Sequence, residues 1–378
     1  MKNLREKLKR KISPKSATVE KQNETKKIKI ISPPNGAIVS QNNDKIQAFV
    51  KNYLRWSSFN ELTKSAEEQY FPKFVQIKWK GERGGEYVVM VSEDENFVDA
   101  REYECNGTSA ELQNLLCGRK YYYQVKSKWG GASEVCSFVT AREPRIIKID
   151  GLSNTRDVGG YVVYSNGSAG EKPVGRVKQG RIYRGANPDG NTEIGQTAIN
   201  RLGIKTILDL REKNNRKQAV NNVGYIELPP CGGPCYVNGG MGVEEEKYLA
   251  SLVCEIKAFA DEKNYPVYMH CQIGRDRTGT LAFMLNALLG VSYKDLTLDY
   301  ELSIFSESGR IDYDDYEKMR INITAAFESL YAFFIGYAQE RNTEKSLKYG
   351  VEAFLKDKGV TAEELKNIRD ILIEQNDL

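Results

Sequence analysis

Apolar positions along residues 29–143 recur mostly with a period of two. In Phe74-Val75-Gln76-Ile77-Lys78-Trp79 the alternation puts Val75, Ile77 and Trp79 on one face. Similar runs cover 86–91, 121–125 and 135–139, with Gly-rich or Asp/Asn-rich breaks between them. Short alternating strands with regular turns predict a β-sandwich over 29–143. From about residue 145 the pattern changes. Ile204 to Leu210 is a short apolar strand, and Tyr225 to Leu228 another. Glu244 to Lys263 carries Tyr248, Leu249, Leu252, Ile256 and Phe259 at helical spacing. Pro266 to His270 is a strand, followed by a helix from Arg277 to Leu289 that Gly290 ends. Strands alternating with helices predict an α/β domain with a mainly parallel sheet over 145–378. Thr361-Ala362-Glu363-Glu364 is a capping box, opening a helix with Leu365, Ile368 and Leu372 on its apolar stripe.

Charge adds a third segment. Residues 1–27 hold ten Lys or Arg against three Glu. With so few apolar residues, 1–28 reads as a basic disordered tail, suited at most to weak contact with an anionic surface. The whole chain carries only +4, which gives no global reason to expect nucleic acid as a partner. No apolar run approaches the ~20 residues that span a bilayer. No apolar stretch follows the basic start as in a signal peptide, so the expected location is the cytoplasm. Seven scattered cysteines suit a reducing compartment better than a disulfide scaffold. His270 is the sole histidine. A multi-histidine metal site is therefore impossible, and a Ser-His-Asp triad would need His270 as its base. Neither metal nor cofactor is expected.

A cysteine followed by an arginine six positions on occurs twice. The Cys136–Arg142 copy has no glycine, ends a predicted strand and precedes Glu143-Pro144, so it is a chance match. The copy at Cys271 follows a buried strand and opens a helix. That junction leaves backbone N–H groups pointing into a turn, with the helix dipole behind them. It is an anion cradle formed by Gln272, Ile273, Gly274, Arg275, Asp276 and Arg277. Gly274 permits a backbone angle other residues avoid, and Gly279 lets the helix start pack closely. Arg277 offers a planar fork matched to two phosphate oxygens. The same positive field favours the thiolate of Cys271 at neutral pH. A nucleotide-binding P-loop does not fit, because Thr280-Leu281 stand where Lys-Ser/Thr would be needed.

His270-Cys271-x-x-Gly274-x-Asp276-Arg277-Thr278-Gly279 resembles the signature of the protein tyrosine phosphatase superfamily. Within it, the chain resembles bacterial tyrosine/dual-specificity and phosphoinositide-type phosphatases with an Asp before the signature Arg. Asn154 to Tyr161, Gly180 to Gly185 and Leu202 to Arg211 agree, as does Phe354 to Arg369. The resemblance implies attack by Cys271 on phosphorus, a phosphocysteine intermediate, and a Thr278 hydroxyl that stabilises the departing thiolate. It also implies a carboxylic acid for the leaving oxygen. No Trp-Pro-Asp acid loop is present, so Asp276 and Asp209 are the candidates, with Asp276 favoured. Asp209 could instead pair with Arg211. Arg275 stands where many relatives have Lys. His270 reads as orienting the loop, and Arg156, Asp157 and Arg184 as scaffold pairs. Cys231 and Cys235 lie in a Gly-Pro-rich loop with too few neighbouring ligands for zinc. Separately, Leu115 to Val125 resembles a corner of fibronectin type III domains in which a tyrosine hydroxyl ties to nearby backbone. Tyr121 matches that tyrosine, while Cys117 and Arg119 replace the usual Pro and Thr. These readings predict a phosphomonoesterase with an N-terminal spacer or interaction module that takes a protein partner. Phosphotyrosine on protein is the leading substrate. Phosphoinositide or inositol phosphate is the alternative, on the strength of Arg275, and an inactive phospho-binding module is the rival of another class. Every candidate catalytic residue lies within 145–378, so that segment is expected to fold and act without the β-domain.

Overall fold

Alternation in the N-terminal half becomes eight strands: β1 (Lys29–Ser32), β2 (Ala37–Val39), β3 (Val75–Lys80), β4 (Glu86–Ser92), β5 (Arg101–Asn106), β6 (Ser109–Leu112), β7 (Lys120–Ser127) and β8 (Cys136–Thr140). The computed structural model describes residues 28–51, 72–81, 85–235, 242–243, 245–306, 328–341 and 346–375. The basic tail read over 1–28 lies, except for Ile28, outside the described residues. One sheet has the order β1-β3-β6 and the other β2-β8-β7-β4-β5. Along β3, Val75, Ile77 and Trp79 are buried while Gln76, Lys78 and Lys80 are exposed. Both sheets feed one core, with Ile77 and Trp79 from the first and Val89, Tyr123 and Phe138 from the second. The Leu116 amide donates to the Tyr121 hydroxyl at 3.0 Å, closing the corner beside β7. The four runs of apolar alternation correspond to β3, β4, β7 and β8. β5 escapes such a reading because it is an exposed edge strand with no buried position.

The second half adds β9 (Arg156–Asp157), β10 (Val162–Tyr164), β11 (Pro173–Val177), β12 (Ile182–Gly185), β13 (Thr206–Asp209), β14 (Gly224–Tyr225), β15 (Val267–His270) and β16 (Ile373–Glu374). The central sheet runs β14-β13-β15-β12-β9. Its first four strands are parallel, and β9 closes one edge antiparallel. A separate antiparallel sheet, β10-β11-β16, makes the domain mixed rather than mainly parallel throughout. The helix Glu246–Ala258 is shorter than the stretch read from the pattern. Asp276–Leu289 is buried on nearly every side, and Gly290 caps it at φ +99°. An apolar helix buried all round is the centre of its domain rather than an amphipathic cover. Thr361 and Glu364 form the capping box that opens Ala362–Leu372. Among the described residues no helix is long and apolar enough to cross a membrane.

The two halves are tied by polar contacts. Arg145 donates to the carbonyls of Leu115 (2.9 Å) and Asn114 (2.6 Å) and to the Asp157 carboxylate (2.6 Å). The Gln179 amide exchanges two 2.8 Å bonds with the Cys117 backbone. Arg119 meets Glu374 at 2.8 Å. A helix over Asp44–Lys51, inside the N-terminal half by sequence, buries Ile46 and Phe49 against Ile146, Leu298, Leu302 and Phe305.

Candidate active site

Register brings the site together. Gly185 of β12 and Asp209 of β13 both pair with His270 of β15. Three parallel strands therefore end in one row, at the carboxyl edge where open α/β sheets carry their ligand sites. The chain leaves β15 at His270, turns through 271–275 and enters the Asp276–Leu289 helix. Gly274 sits at φ +71°, and a Cβ there would come within 2.2 Å of the Gly185 carbonyl. Only glycine meets both conditions.

Five successive carbonyls of this turn are held from outside. His270 Nδ1 bonds the Cys271 carbonyl at 3.0 Å. Asn187 donates to Gln272 through its backbone amide (3.1 Å) and side chain (2.9 Å). Asn154 Nδ2 donates to the Ile273 carbonyl at 2.9 Å. Arg184 Nη2 donates to the carbonyls of Gly274 (2.9 Å) and Arg275 (3.2 Å). In a trans peptide plane the following N–H points opposite to the carbonyl. Fixing the carbonyls outward therefore turns the amides of 272–276 toward the inside of the turn. With a helix N-terminus behind them, they form a positive concavity suited to a small oxyanion.

The Cys271 thiol is buried at the mouth of this turn, with 3% of the residue exposed. Thr278 Oγ1 is buried with no hydrogen-bond partner among the described residues. Arg277 remains partly exposed, with Nη1 3.4 Å from the Leu210 carbonyl and 3.8 Å from Glu212. Burial pushes the His270 pKa below its ordinary value, so the ring is neutral. A carbonyl can only accept, which puts the ring proton on Nδ1.

The two candidate acids differ in surroundings. Asp276 opens the helix, partly exposed. Its carboxylate accepts from Arg275 Nε at 3.0 Å and from the Tyr300 hydroxyl at 3.0 Å. Asp209 is buried, and both its oxygens accept from the Arg211 guanidinium at 2.8–3.1 Å. Arg211 is held in turn by Asp189 at 2.9 Å. Arg156 and Arg184, both fully buried, converge on Asp299, and Arg156 also donates to Asn154 Oδ1. Burial alone would raise the Asp299 pKa, but the two guanidinia outweigh it and hold the carboxyl below its ordinary value. Removing one member of such a buried cluster typically costs about 3–5 kcal/mol. These arginines contact the turn through its carbonyls and its neighbours, as scaffold groups do. Asp157 pairs with Arg145. Cys136, the chance match, stands in β8 within the five-stranded sheet, where burial raises its pKa.

Asn187 is a neighbour of the turn that sequence reasoning missed, and Asn154 was read only as the start of the family-like segment Asn154 to Tyr161, without a role. Asn154 adopts φ +56°, a left-handed conformation that Asn tolerates better than most residues. Its place just before Thr155-Arg156-Asp157 was the available signal.

Neither Cys231 nor Cys235 forms a disulfide among the described residues. Cys231 donates to the Lys247 carbonyl at 3.0 Å. Among the described residues no group of three or more His, Cys, Asp or Glu side chains could hold a metal ion. The Gly233 amide donates to the Leu210 carbonyl, and a Cβ on Gly233 would lie 2.6 Å from Glu255 Oε1. Glu255 is fully buried, with Ser251 donating to Oε1 at 3.2 Å. Burial pushes its pKa up to about 7, against the opposing pull of Arg216 and Arg277. A carboxyl raised in the folded state stabilises the fold fully below its unfolded pKa, and the contribution is lost as pH rises to the folded value. Stability should fall by about 3 kcal/mol from this group as the pH rises from about 4.5 to about 7. Glu255→Gln should remove that slope. Urea unfolding at a series of pH values checks this, and an unchanged slope in the variant would exclude Glu255 as the titrating group.

Comparison with known proteins agrees with this geometry. The model of the "Tyrosine phosphatase family" matches residues 147–374, more than half of the chain. A protein of Cupriavidus necator named "Putative tyrosine-protein phosphatase" is 27% identical over 179 residues, which are 41% of this chain and 61% of that protein. The chain thus spans about three fifths of that relative's length. A Debaryomyces hansenii protein with the same description is 26% identical over 140 residues, 35% of this chain and 67% of its own. Among solved structures, the core catalytic domain of the PP-IP phosphatase SIW14 from S. cerevisiae aligns at 20% identity, over 40% of this chain and 90% of that one. Its TM-score is 0.26, too loose a superposition to bear on this chain. The family match runs from just after the Arg145 tie to β16 and contains the whole of the fastened turn, and on that ground the chain belongs to the tyrosine phosphatase family.

Proposed function

We propose that the chain is a cysteine-dependent phosphomonoesterase of the protein-tyrosine type, working through a phosphocysteine intermediate. The observation that carries this reading is the turn with five carbonyls fastened outward around a buried thiol. A phosphoryl group in the turn accepts from the inward amides and from the guanidinium fork of Arg277. Cys271 Sγ attacks phosphorus as a thiolate, the ester P–O bond breaks, and Asp276 gives its proton to the leaving oxygen. Water then attacks the phosphocysteine, releasing inorganic phosphate. Asp276 recovers a proton from that water, and the Thr278 hydroxyl donates to the departing Sγ. Asp209, engaged on both oxygens by Arg211, serves in this scheme to hold the neighbouring strand end.

Phosphotyrosine on protein is the favoured substrate. The second cation, Arg275, is turned onto Asp276 rather than standing as an unopposed charge for further phosphates. That reduces the case for a phosphoinositide or inositol phosphate. The N-terminal module, with its Tyr121 corner, reads as fibronectin type III-like and as a site for a protein partner. Turnover of p-nitrophenyl phosphate by the full chain tests the reading, followed by a panel of phosphotyrosyl peptides, phosphoinositides and inositol phosphates. Activity should survive EDTA and fall with vanadate. Phosphate binding without turnover would make the chain a phospho-binding module instead. Preference for the lipid or inositol esters would overturn the substrate assignment.

A further inference from the structure

The Asp44–Lys51 helix lies between β2 and β3 by sequence, yet its apolar face serves the other half of the chain. Ile46 and Phe49 are buried against Leu298, Leu302 and Phe305. The Phe49 ring meets Phe305 edge-on, with centroids 5.0 Å apart. Leu298 belongs to the helix Tyr293–Glu301, and Leu302 and Phe305 to the turn that continues it. That same helix reaches the catalytic turn and the helix start after it by two routes. Tyr300 donates to the Asp276 carboxylate and lies under Gly279, where a Cβ would come within 2.8 Å of its ring. Asp299 anchors both Arg184, which holds two carbonyls of the turn, and Arg156, which holds Asn154.

We propose that the Asp44–Lys51 helix is a positioning element of the phosphatase site, with Phe49 and Ile46 fixing the Tyr293–Glu301 helix and thereby the fastened turn. The inference rests on the phosphatase reading above. It sets aside the expectation that residues 145–378 act alone, because those residues would lose the Phe49 side of this small core. The path is short and discrete. The small apolar cluster completes the seating of a helix whose Leu296 and Tyr300 also sit in the main core, and two adjacent residues of that helix, Asp299 and Tyr300, hold the Arg184 and Arg156–Asn154 anchors and the Asp276 carboxylate. An anion cradle depends on donor directions, so a small tilt of the helix degrades binding and turnover together.

The test uses the full chain carrying Phe49→Ala, with Phe49→Leu as the conservative partner. Trp129→Ala, an exposed site elsewhere in the same module, is the control. The readouts are kcat for p-nitrophenyl phosphate and the inhibition constant of vanadate, taken well below the melting temperature of each variant. Phe49→Ala should lower kcat about tenfold and weaken vanadate about fivefold. Phe49→Leu should restore both to within about twofold, and Trp129→Ala should change neither. A Phe49→Ala protein that melts earlier but keeps parental kcat and vanadate affinity overturns the proposal, since the helix would then only cover apolar surface. If Phe49→Ala does not fold, Ile46→Val is read by the same two measurements, and parental values in it overturn the proposal equally. A parent chain with neither turnover nor vanadate binding rejects the phosphatase reading itself, which separates the two failures.

Discussion

Cys271→Ser should abolish turnover, by about four orders of magnitude or more, while the chain stays folded and still binds inorganic phosphate. A serine hydroxyl is a far weaker nucleophile toward phosphorus than a cysteine sulfur. The cradle itself is backbone. Its carbonyl anchors come from Asn154, Arg184, Asn187 and His270, none of which the substitution touches. Loss of activity with retained phosphate competition is therefore the expected pair of results. Near-parental turnover in the variant would sink the mechanism. Cys136→Ser should leave activity intact, because that thiol begins β8 of the other five-stranded sheet rather than a strand–turn–helix junction.

The second large effect concerns the proton donor. Asp276→Asn should lower kcat by about 10²-fold for esters of weakly acidic alcohols or phenols and far less for esters of strongly acidic phenols. The reason is that a poor leaving oxygen needs its proton in the transition state and a good one does not. Asp209→Asn should give a smaller loss of similar size for every leaving group, since it weakens the hold on Arg211 rather than removing a donor. Damage to phosphate binding from the loss of the Arg275 contact would also show equally with all esters. One series of aryl phosphates run on both variants decides the matter. A steeper dependence on leaving-group acidity in Asp209→Asn, and none in Asp276→Asn, would reassign the acid to Asp209.

The parts legible in the sequence are those whose cause is local. The period-two run at Val75, Ile77 and Trp79 is buried as the pattern requires, and Gly290 stops its helix in the left-handed conformation. The strand–turn–helix around Cys271 could be read because glycine, arginine and the helix start lie within a few residues of one another. Of the fasteners, His270 was legible as a residue that orients the loop and Arg184 as a scaffold group, but the two asparagines were not read as fasteners. Asn154 and Asn187 are ordinary polar residues until the sheet register brings them to the turn. Strands such as β9 and β14, two residues each, are too short for any period to mark them. The Asp44–Lys51 helix was hidden for a different reason. Its apolar residues answer to Leu298, Leu302 and Phe305, some 250 positions away, and no local window contains that information.

Three of the four carbonyl anchors come from far along the chain, with separations of 119 residues for Asn154 to Ile273, 90 for Arg184 to Gly274 and 85 for Asn187 to Gln272, while His270 acts on its neighbour. Contacts of that span form only after large loops have closed, so they belong to the slow end of folding rather than to early local structure. Until they form, the turn lacks these three fasteners. Under the proposed function, an oxyanion would recognise the completed chain alone. Bound at a hundred times its dissociation constant, it would stabilise that state by about 2.7 kcal/mol. The midpoint of oxyanion-protected unfolding would thus report the arrival of these three distant contacts. A chain stalled one loop short would retain helices and strands, and would be blind to phosphate.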